Sequence, residues 1–411
     1  MAETDNIEVP PYFLCPITLE TMKDPVTVAT GITYDRESIE RWIFSQKNTT
    51  CPVTKQDLKS LDLTPNITLR RLIQAWCTLH AVERLPTPKP PATVPQISKL
   101  LEDTQSPTRR RKSLQTLKSI AAQSQTNKRS LESAGAAAVL SAIVVNQTLS
   151  NPQLFDDGDG DAGAAAGDAL SILYSLQLSE SGLKTLANPQ FIESLTLIMQ
   201  SGSYESRTYS IMLLNPILEE SSNPNLLINL TPEFFTQISQ TLKDQISPKA
   251  TKSSLKALIT SISWGRNRIK AVESGAVPAL IDLLLESSDK RTSEMALTAL
   301  DSLCQCADGR SGLLTHSAGL AVVSKKILRI SSAASERAVR ILQSVSRHSS
   351  TPAVLQEMLQ IGVVAKLCLI VQVDCGSKIR ERAREILRTH SRAWRNSPCV
   401  PVNLMLSYPC S

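Results

Sequence analysis

Four side chains near the start of this chain could ligate a soft metal ion: Cys15, Cys51, Cys77 and His80. A paired two-zinc site needs eight Cys/His ligands, mostly in C-x-x-C or C-x-x-H spacing. Only Cys77-Thr-Leu-His80 has that spacing, and it falls in a helical pattern. A single four-ligand site therefore stands against a plainer reading, in which the cysteines are small buried hydrophobes. Cysteine nucleophiles need an activating base, and neither Cys15 nor Cys51 has a His nearby in sequence. A third chemistry is suggested by FDDGDGDAGAAAGD, where Asp157, Asp159 and Asp161 alternate as calcium ligands do and Asp168 falls at the twelfth position. Ala162 replaces the glycine that such a loop needs at position six, and the last ligand is Asp rather than Glu. A solvated acidic loop is the simpler reading.

The elements that must position these residues divide by texture. Residues 8–82 mix short apolar stretches with turns and two helical patterns. DPVTVATGITYD, β-branched on both sides of Thr30-Gly31, reads as a hairpin. A helix follows in TYDRESIERWIFSQK, with Asp35 as N-cap and Ile39, Trp42 and Ile43 on one face. In TPNITLRRLIQAWCTLHA, Leu69, Leu72, Ile73 and Trp76 have amphipathic helical spacing. Five prolines in ERLPTPKPPATVPQIS, residues 83–98, mark an extended linker.

Residues 99–395 repeat themselves, with a tail at 396–411. NKRSLESAGAAAVLSAIV around Gly135 echoes NRIKAVESGAVPALIDLLL around Gly275. Weaker echoes stand at Asn188, Thr231, Ala318 and Gly362, giving steps of 53, 43, 44, 43 and 44 residues. A period of about 40–47 residues is that of armadillo/HEAT repeats. Each unit would be a short helix, a Gly or Pro break and two longer helices whose Leu-rich faces stack on the next unit. The one long step contains the acidic, glycine-rich insertion. The expected fold is mainly α: a small α+β module followed by a right-handed armadillo-type α-solenoid.

Composition agrees. The 411 residues exceed one ordinary hydrophobic core, and aromatics are only 4%, as suits stacked helices. A net charge of +6 is too mild to indicate nucleic acid. No apolar run of eighteen appears and MAETDNIEVPP is polar, so neither a signal peptide nor a membrane span is expected. Nine irregularly spaced cysteines read as reduced thiols of the cytoplasm or nucleus. The basic segment CGSKIRERAREILRTHSRAWRN reads as a solvated repeat face, with a peripheral contact to an anionic membrane or acidic partner as the sharper option. Ser106-Pro107 and Thr87-Pro88 carry a weak pattern for proline-directed phosphorylation.

Residues 8–82 carry C-P-I, D-P-V, T-G-x-T-Y-D-R and C-P-V-T in that order. This segment resembles the U-box, the metal-free relative of the RING finger. With helical repeats behind a proline-rich linker, the whole chain resembles plant U-box/armadillo E3 ubiquitin ligases of the short type, which act in defence and stress signalling. The resemblance implies that hydrogen bonds, salt bridges and a small apolar core replace zinc, with Asp24, Asp35, Arg36 and Glu37 as candidate links. No metal or cofactor is then expected.

It further implies a RING-type ubiquitin transferase with no covalent enzyme–ubiquitin intermediate. The U-box would dock a ubiquitin-charged E2 enzyme and hold the thioester where a substrate lysine can attack it. Carried over by position, Ile17 and Leu19 of the first loop, Trp42 of the central helix and Pro52 of the second loop would bind E2. Lys55 stands where many U-boxes carry a basic residue bridging E2 and ubiquitin; Lys brings a point charge where Arg would bring a planar fork. The partners implied are an E2, ubiquitin and a protein substrate on the concave face of the repeats. Two other functions compete. An import-receptor-like adaptor would carry a regular Trp/Asn ladder, yet Trp264 and Trp394 are isolated. A thioester-forming ligase would need a reactive cysteine beside a histidine.

Overall fold

The computed structural model describes residues 9–46, 48–80, 92–150, 161–220, 224–373 and 375–394. It divides into two compact units, Met1–Ala136 and Ala137–Ser411.

The first unit opens with the expected hairpin. Strands β1 (Pro25–Thr27) and β2 (Thr33–Asp35) pair antiparallel with Val26 opposite Tyr34, and β3 (Thr64–Pro65) joins the other edge of β1 to give the order β2-β1-β3. Gly31 makes the turn at φ +85°, a left-handed conformation costly for other L-residues. Helix α1 (Arg36–Glu40) follows β2 directly and continues as a π-helical turn, Arg41–Ser45. Helix α2 (Ile67–Leu79) starts at Asn66, whose side-chain oxygen accepts from the Leu69 amide at 3.0 Å. Phe13, Met22, Val26, Tyr34, Ile39, Ile43, Leu58 and Ile73 form the core, joined by Cys15, Cys51 and Cys77. All three cysteines are buried.

Two details differ from the expected pattern. Asp35 holds the N-cap position of α1, but its side chain makes no capping bond and turns back to the preceding loop. Leu72 is 55% exposed while Leu69, Ile73 and Trp76 face the core, because the buried stripe of α2 is narrower than its apolar sequence pattern.

Residues 83–91 of the proline-rich stretch lie outside the described residues, and the stretch ends in helix. Helix α3 (Val94–Asp103) begins inside it, with Pro95 in the first turn and a Thr93/Gln96 capping box. Pro is tolerated there because a first-turn N–H has no intrahelical acceptor. Helices α4 (Pro107–Gln123) and α5 (Gln125–Ser133) complete the unit.

The secondary structure among the described residues of the second unit is helical. After α6 (Ala136–Ser150) and α7 (Asp161–Leu176) come three-helix repeats. They comprise α8 (Glu180–Leu186), α9 (Pro189–Ser201) and α10 (Tyr204–Glu220), then α11 (Pro224–Ile228), α12 (Pro232–Asp244) and α13 (Pro248–Ser261). Next are α14 (Gly265–Glu273), α15 (Ala276–Glu286) and α16 (Lys290–Leu303), then α17 (Ala307–Thr315), α18 (Gly319–Lys326) and α19 (Ser332–His348). The last repeat has α20 (Pro352–Gln360), α21 (Val363–Gln372) and α22 (Ser377–Thr389), followed by α23 (Ser391–Trp394). In most repeats the first helix is the shortest, although α18 is no longer than α17.

The six sequence anchors all fall at one structural point, the start of the middle helix. Gly135, Gly275 and Gly362 adopt φ of +82°, +78° and +77° immediately before α6, α15 and α21. Asn188 and Thr231 cap α9 and α12 through their side chains, and Ala318 precedes α18. A turn is needed there: a left-handed glycine supplies it at three anchors and a side-chain cap at two, while Ala318 turns at φ -103° with no side-chain cap. Asp157 and Asp159 lie outside the described residues, whereas Asp161 starts α7 and Asp168 lies within it, so the second half of the calcium-like spacing is helix and not loop. Among the described residues no single helix is long and apolar enough to cross a membrane.

No atom stands within 4 Å of where a Cβ would sit on Gly275. Gly275→Ala is therefore expected to cost only the backbone term, about 1 kcal/mol. Gly319→Ala is expected to cost more, because its Cβ would collide with the Leu313 carbonyl. Urea unfolding of the two variants checks the order.

Candidate functional site

The two Cys-Pro segments are one structure built twice. In CPITLE, the Leu19 amide donates to the Cys15 carbonyl at 2.8 Å, and the Cys15 amide donates to the Glu20 carbonyl at 2.8 Å. In CPVTKQ, the Lys55 amide donates to the Cys51 carbonyl at 2.9 Å, and the Cys51 amide donates to the Gln56 carbonyl at 2.8 Å. Each loop is closed by an antiparallel bridge, Leu14 with Thr21 and Thr50 with Asp57. Leu19 and Lys55 both have φ of 60°, an uncommon left-handed conformation for residues with a side chain. Strain of this kind persists only where surrounding bonds fix it.

Adjacent residues of β2 fasten both loops. The Asp35 amide donates to Cys15 Sγ at 3.3 Å, and the Asp35 carboxylate accepts from the Lys23 and Asp24 amides at 2.8 and 2.9 Å. Tyr34, fully buried, bonds Cys51 Sγ through its hydroxyl at 3.0 Å and accepts from the Val53 amide at 3.2 Å. Thr30 Oγ1 donates to the same sulfur at 3.3 Å. Burial pushes the Cys51 thiol up, but hydrogen bonds from Thr30, Thr54 and Tyr34 and from the Thr54 backbone outweigh it and bring the thiol down to about 6. Burial and the bond to Cys51 together raise the Tyr34 phenol well above its ordinary range.

An ionic network braces the central helix. Arg36 Nε lies 2.6 Å from Asp24 Oδ2, and Arg70 approaches the other Asp24 oxygen at 3.7 Å. Glu40 Oε1 stands 3.7 Å from Arg36. Of the four candidate links, Asp24, Asp35 and Arg36 thus hold the fold together. Glu37 does not: it pairs with Arg41 in the open, where an ion pair contributes little.

These supports set out the predicted E2-binding residues on the two loops and the helix between them. Ile17 is half-buried against the core, whereas Leu19 is 73% exposed at the loop tip. Trp42 is half-buried and donates from Nε1 to the Thr50 carbonyl at 2.8 Å, tying the helix to the second loop. Pro52 is half-buried in that loop. Lys55 Nζ lies 5.7 Å from the Trp42 ring centroid, in cation–π range. Trp42, Pro52 and Lys55 therefore converge on one loop–helix junction, with Ile17 and Leu19 in the matching loop. Sequence reasoning passed over Val53, which is 50% exposed. The signal for it was present: Val53 occupies in CPVT the place of Ile17 in CPIT.

In the second unit, α10, α13, α16, α19 and α22 pack as successive neighbours. Lys256, Arg291, Glu294, Thr298 and Arg337 line a groove of about 390 Å³ among four of them. Asp301, 1% exposed, lies under two guanidiniums, with Arg337 and Arg340 each 3.1 Å from the same carboxylate oxygen. Burial pushes its pKa above the ordinary carboxylate value against the pull of both arginines. On the basic helix α22, Arg382 pairs with Glu336 at 2.8 Å, and Glu385 accepts from Gln343 at 2.7 Å and pairs with Arg347.

With this geometry in place, the likeness to known proteins is decisive. Residues 96–410 match the plant U-box protein ARM repeat region, and residues 9–81 match the U-box domain. Two Arabidopsis thaliana proteins named E3 ubiquitin-protein ligase PUB23 and PUB22 are 52% and 51% identical. Each alignment covers at least 98% of both chains. The chain belongs to the plant U-box/armadillo-repeat E3 ubiquitin-protein ligases. An engineered protein aligns with 85% of this U-box ligase at a TM-score of 0.50 and 16% identity, and that alignment covers 79% of the engineered chain. A structure from work on the interaction between cadherin and β-catenin covers 79% of the ligase at a TM-score of 0.57 and 14% identity, and that alignment covers 59% of the β-catenin-study chain. These likenesses establish the armadillo fold of the repeats.

These contacts set the expected outcomes for the ligase. Asp24→Ala leaves Arg36, itself 9% exposed, without its closest partner, and should destabilise the U-box by about 3 kcal/mol. Glu37→Ala should leave the denaturation midpoint unchanged. The Cys51 thiol, held near 6 against an ordinary value near 9, contributes stability that is full above pH 9 and lost as pH falls toward 6. Urea titrations of the U-box transition should therefore weaken from pH 9 to pH 6, and Tyr34→Phe should flatten that dependence.

Proposed function

We propose that the U-box of this ligase recruits a ubiquitin-charged E2 and promotes direct transfer to substrate lysines, without a covalent ligase–ubiquitin intermediate, while the repeats bind the substrate. The observation that carries this reading is the pair of matched Cys-Pro loops, both held by β2, with Trp42 of the central helix bonded to the second. Ile17, Leu19, Trp42 and Pro52 form the docking surface, with apolar side chains on a rigid frame as protein interfaces require. Val53 adds to the same rim. Lys55, set at the tip of the second loop with its ammonium toward Trp42, bridges E2 and ubiquitin and restrains the thioester for attack. No group on the ligase need change its bonding, since the E2 thioester supplies the activated carbonyl and the substrate amine is the nucleophile.

The groove on α10, α13, α16 and α19 is the proposed substrate face, with Arg337 fixed over the buried Asp301. Plant defence and stress signalling in the cytoplasm is the proposed setting, on the strength of the family resemblance.

The test is a reconstituted reaction with E1, a promiscuous E2, ubiquitin and ATP. Wild type should form chains, with or without a zinc chelator. Trp42→Ala should lower the rate by about 30-fold or more, the effect of removing an interface hot spot. Ile17→Ala should follow it, and Lys55→Ala should slow discharge of the E2 with less effect on E2 binding. A thiol-labile ubiquitin–ligase adduct would overturn the direct-transfer mechanism.

A further inference from the structure

Glu40 is 5% exposed, and Arg36, its ion-pair partner among the described residues of the U-box, stands 3.7 Å away, beyond hydrogen-bonding distance. Its two short bonds come from the first repeat helices. Oε2 accepts from the Gln125 amide at 2.9 Å and Oε1 from Thr126 Oγ1 at 2.6 Å. Gln125 is the first residue of α5, where amides lack intrahelical acceptors and a carboxylate is favoured. One turn further along the U-box helix, the Phe44 ring carries the Arg129 guanidinium at 3.5 Å from its centroid. On the other side of α5, Asn127 accepts from the amide of Ala92, the first described residue after the prolines, at 3.0 Å.

A buried carboxylate without close hydrogen-bond donors is costly, and α5 supplies two of them to Glu40. Residues 40 and 44, four apart, share one side of the helix, and Trp42, two residues from each, faces the other. The central helix thus has the proposed E2 surface on one side and α5 on the other.

We propose that Glu40 and Phe44 are positioning residues of the transfer reaction. They clamp the U-box to the helices that begin the repeats and so select which lysines the E2-borne thioester reaches. The inference rests on the ligase reading above. It predicts that the clamp leaves E2 activation untouched and governs where ubiquitin is placed.

The experiment uses the full chain with Thr126→Asp and Arg129→Glu together, which repel Glu40 and remove the cation from Phe44 without altering the U-box. Discharge of the charged E2 onto free lysine, which needs no positioned acceptor, should stay within about two-fold of wild type. The lysines of the ligase that become ubiquitinated, mapped by mass spectrometry, should change, with the favoured sites losing about ten-fold in rate. Thr126→Ser, which keeps the hydroxyl, should retain the wild-type map. An unchanged map in the double variant overturns the clamp, whereas failure of wild type to discharge E2 overturns the ligase reading instead. Cross-linking of the unaltered protein gives a reading independent of any variant's folding. Lys23 and Lys128 line one cleft of about 520 Å³ and should be joined by a short amine-reactive reagent; their failure to link overturns the proposal.

Discussion

Strand β2 is three residues long, and the functional end of the molecule depends on it. Tyr34 and Asp35 point to opposite sides of the strand, as neighbours in a strand must. The Tyr34 hydroxyl takes the second Cys-Pro loop, while the backbone and carboxylate of Asp35 take the first. Each cysteine sulfur then serves as a fixed hydrogen-bond partner inside the core. Bonds of this kind contribute about 1 kcal/mol each, but several converging on one short strand act together and leave two strained loops with a single conformation. That frame holds Leu19 and Lys55 in left-handed geometry and sets out the apolar side chains around Trp42.

The repeats solve a different problem. A lone amphipathic helix cannot bury its apolar face, so stability comes from stacking each three-helix unit on the next. A turn recurs before the middle helix of each repeat, made by glycine at three places and by asparagine, threonine and alanine at one each. Charged residues on the third helices then pair from unit to unit, as Arg337 and Arg340 do with Asp301 and Arg382 with Glu336. A buried carboxylate between two guanidiniums fixes long, flexible side chains on an otherwise mobile wall.

The helix bearing Trp42 joins these two architectures. One side faces the loops and the other meets α5 through Glu40 and Phe44, so this single element relates the chemistry of the U-box to the first repeat helices. Its short length favours that role, since five α-helical residues and one π turn leave few ways to rotate.

Much of this was legible in the sequence. The hairpin followed from β-branched residues around Thr30-Gly31, and the repeat period followed from anchors that all fall at the start of a middle helix. The proposed docking residues rest on the family resemblance that the C-P-I and C-P-V-T motifs carry. Such features are local: turn geometry, helical spacing and motif identity act within a few residues of chain. Partners distant in sequence were not legible. Which of Asp24, Asp35, Arg36 and Glu37 would pair, that Leu72 would face outward, and that Glu40 would reach across 85 residues to α5 all depended on packing. The sequence alone determined the types of element and the surface chemistry they carry, because propensity and pattern are properties of short segments. Only the tertiary structure decided which charges are buried and with whom, because burial is a property of the assembled fold, and it alone makes a carboxylate such as Glu40 require a partner.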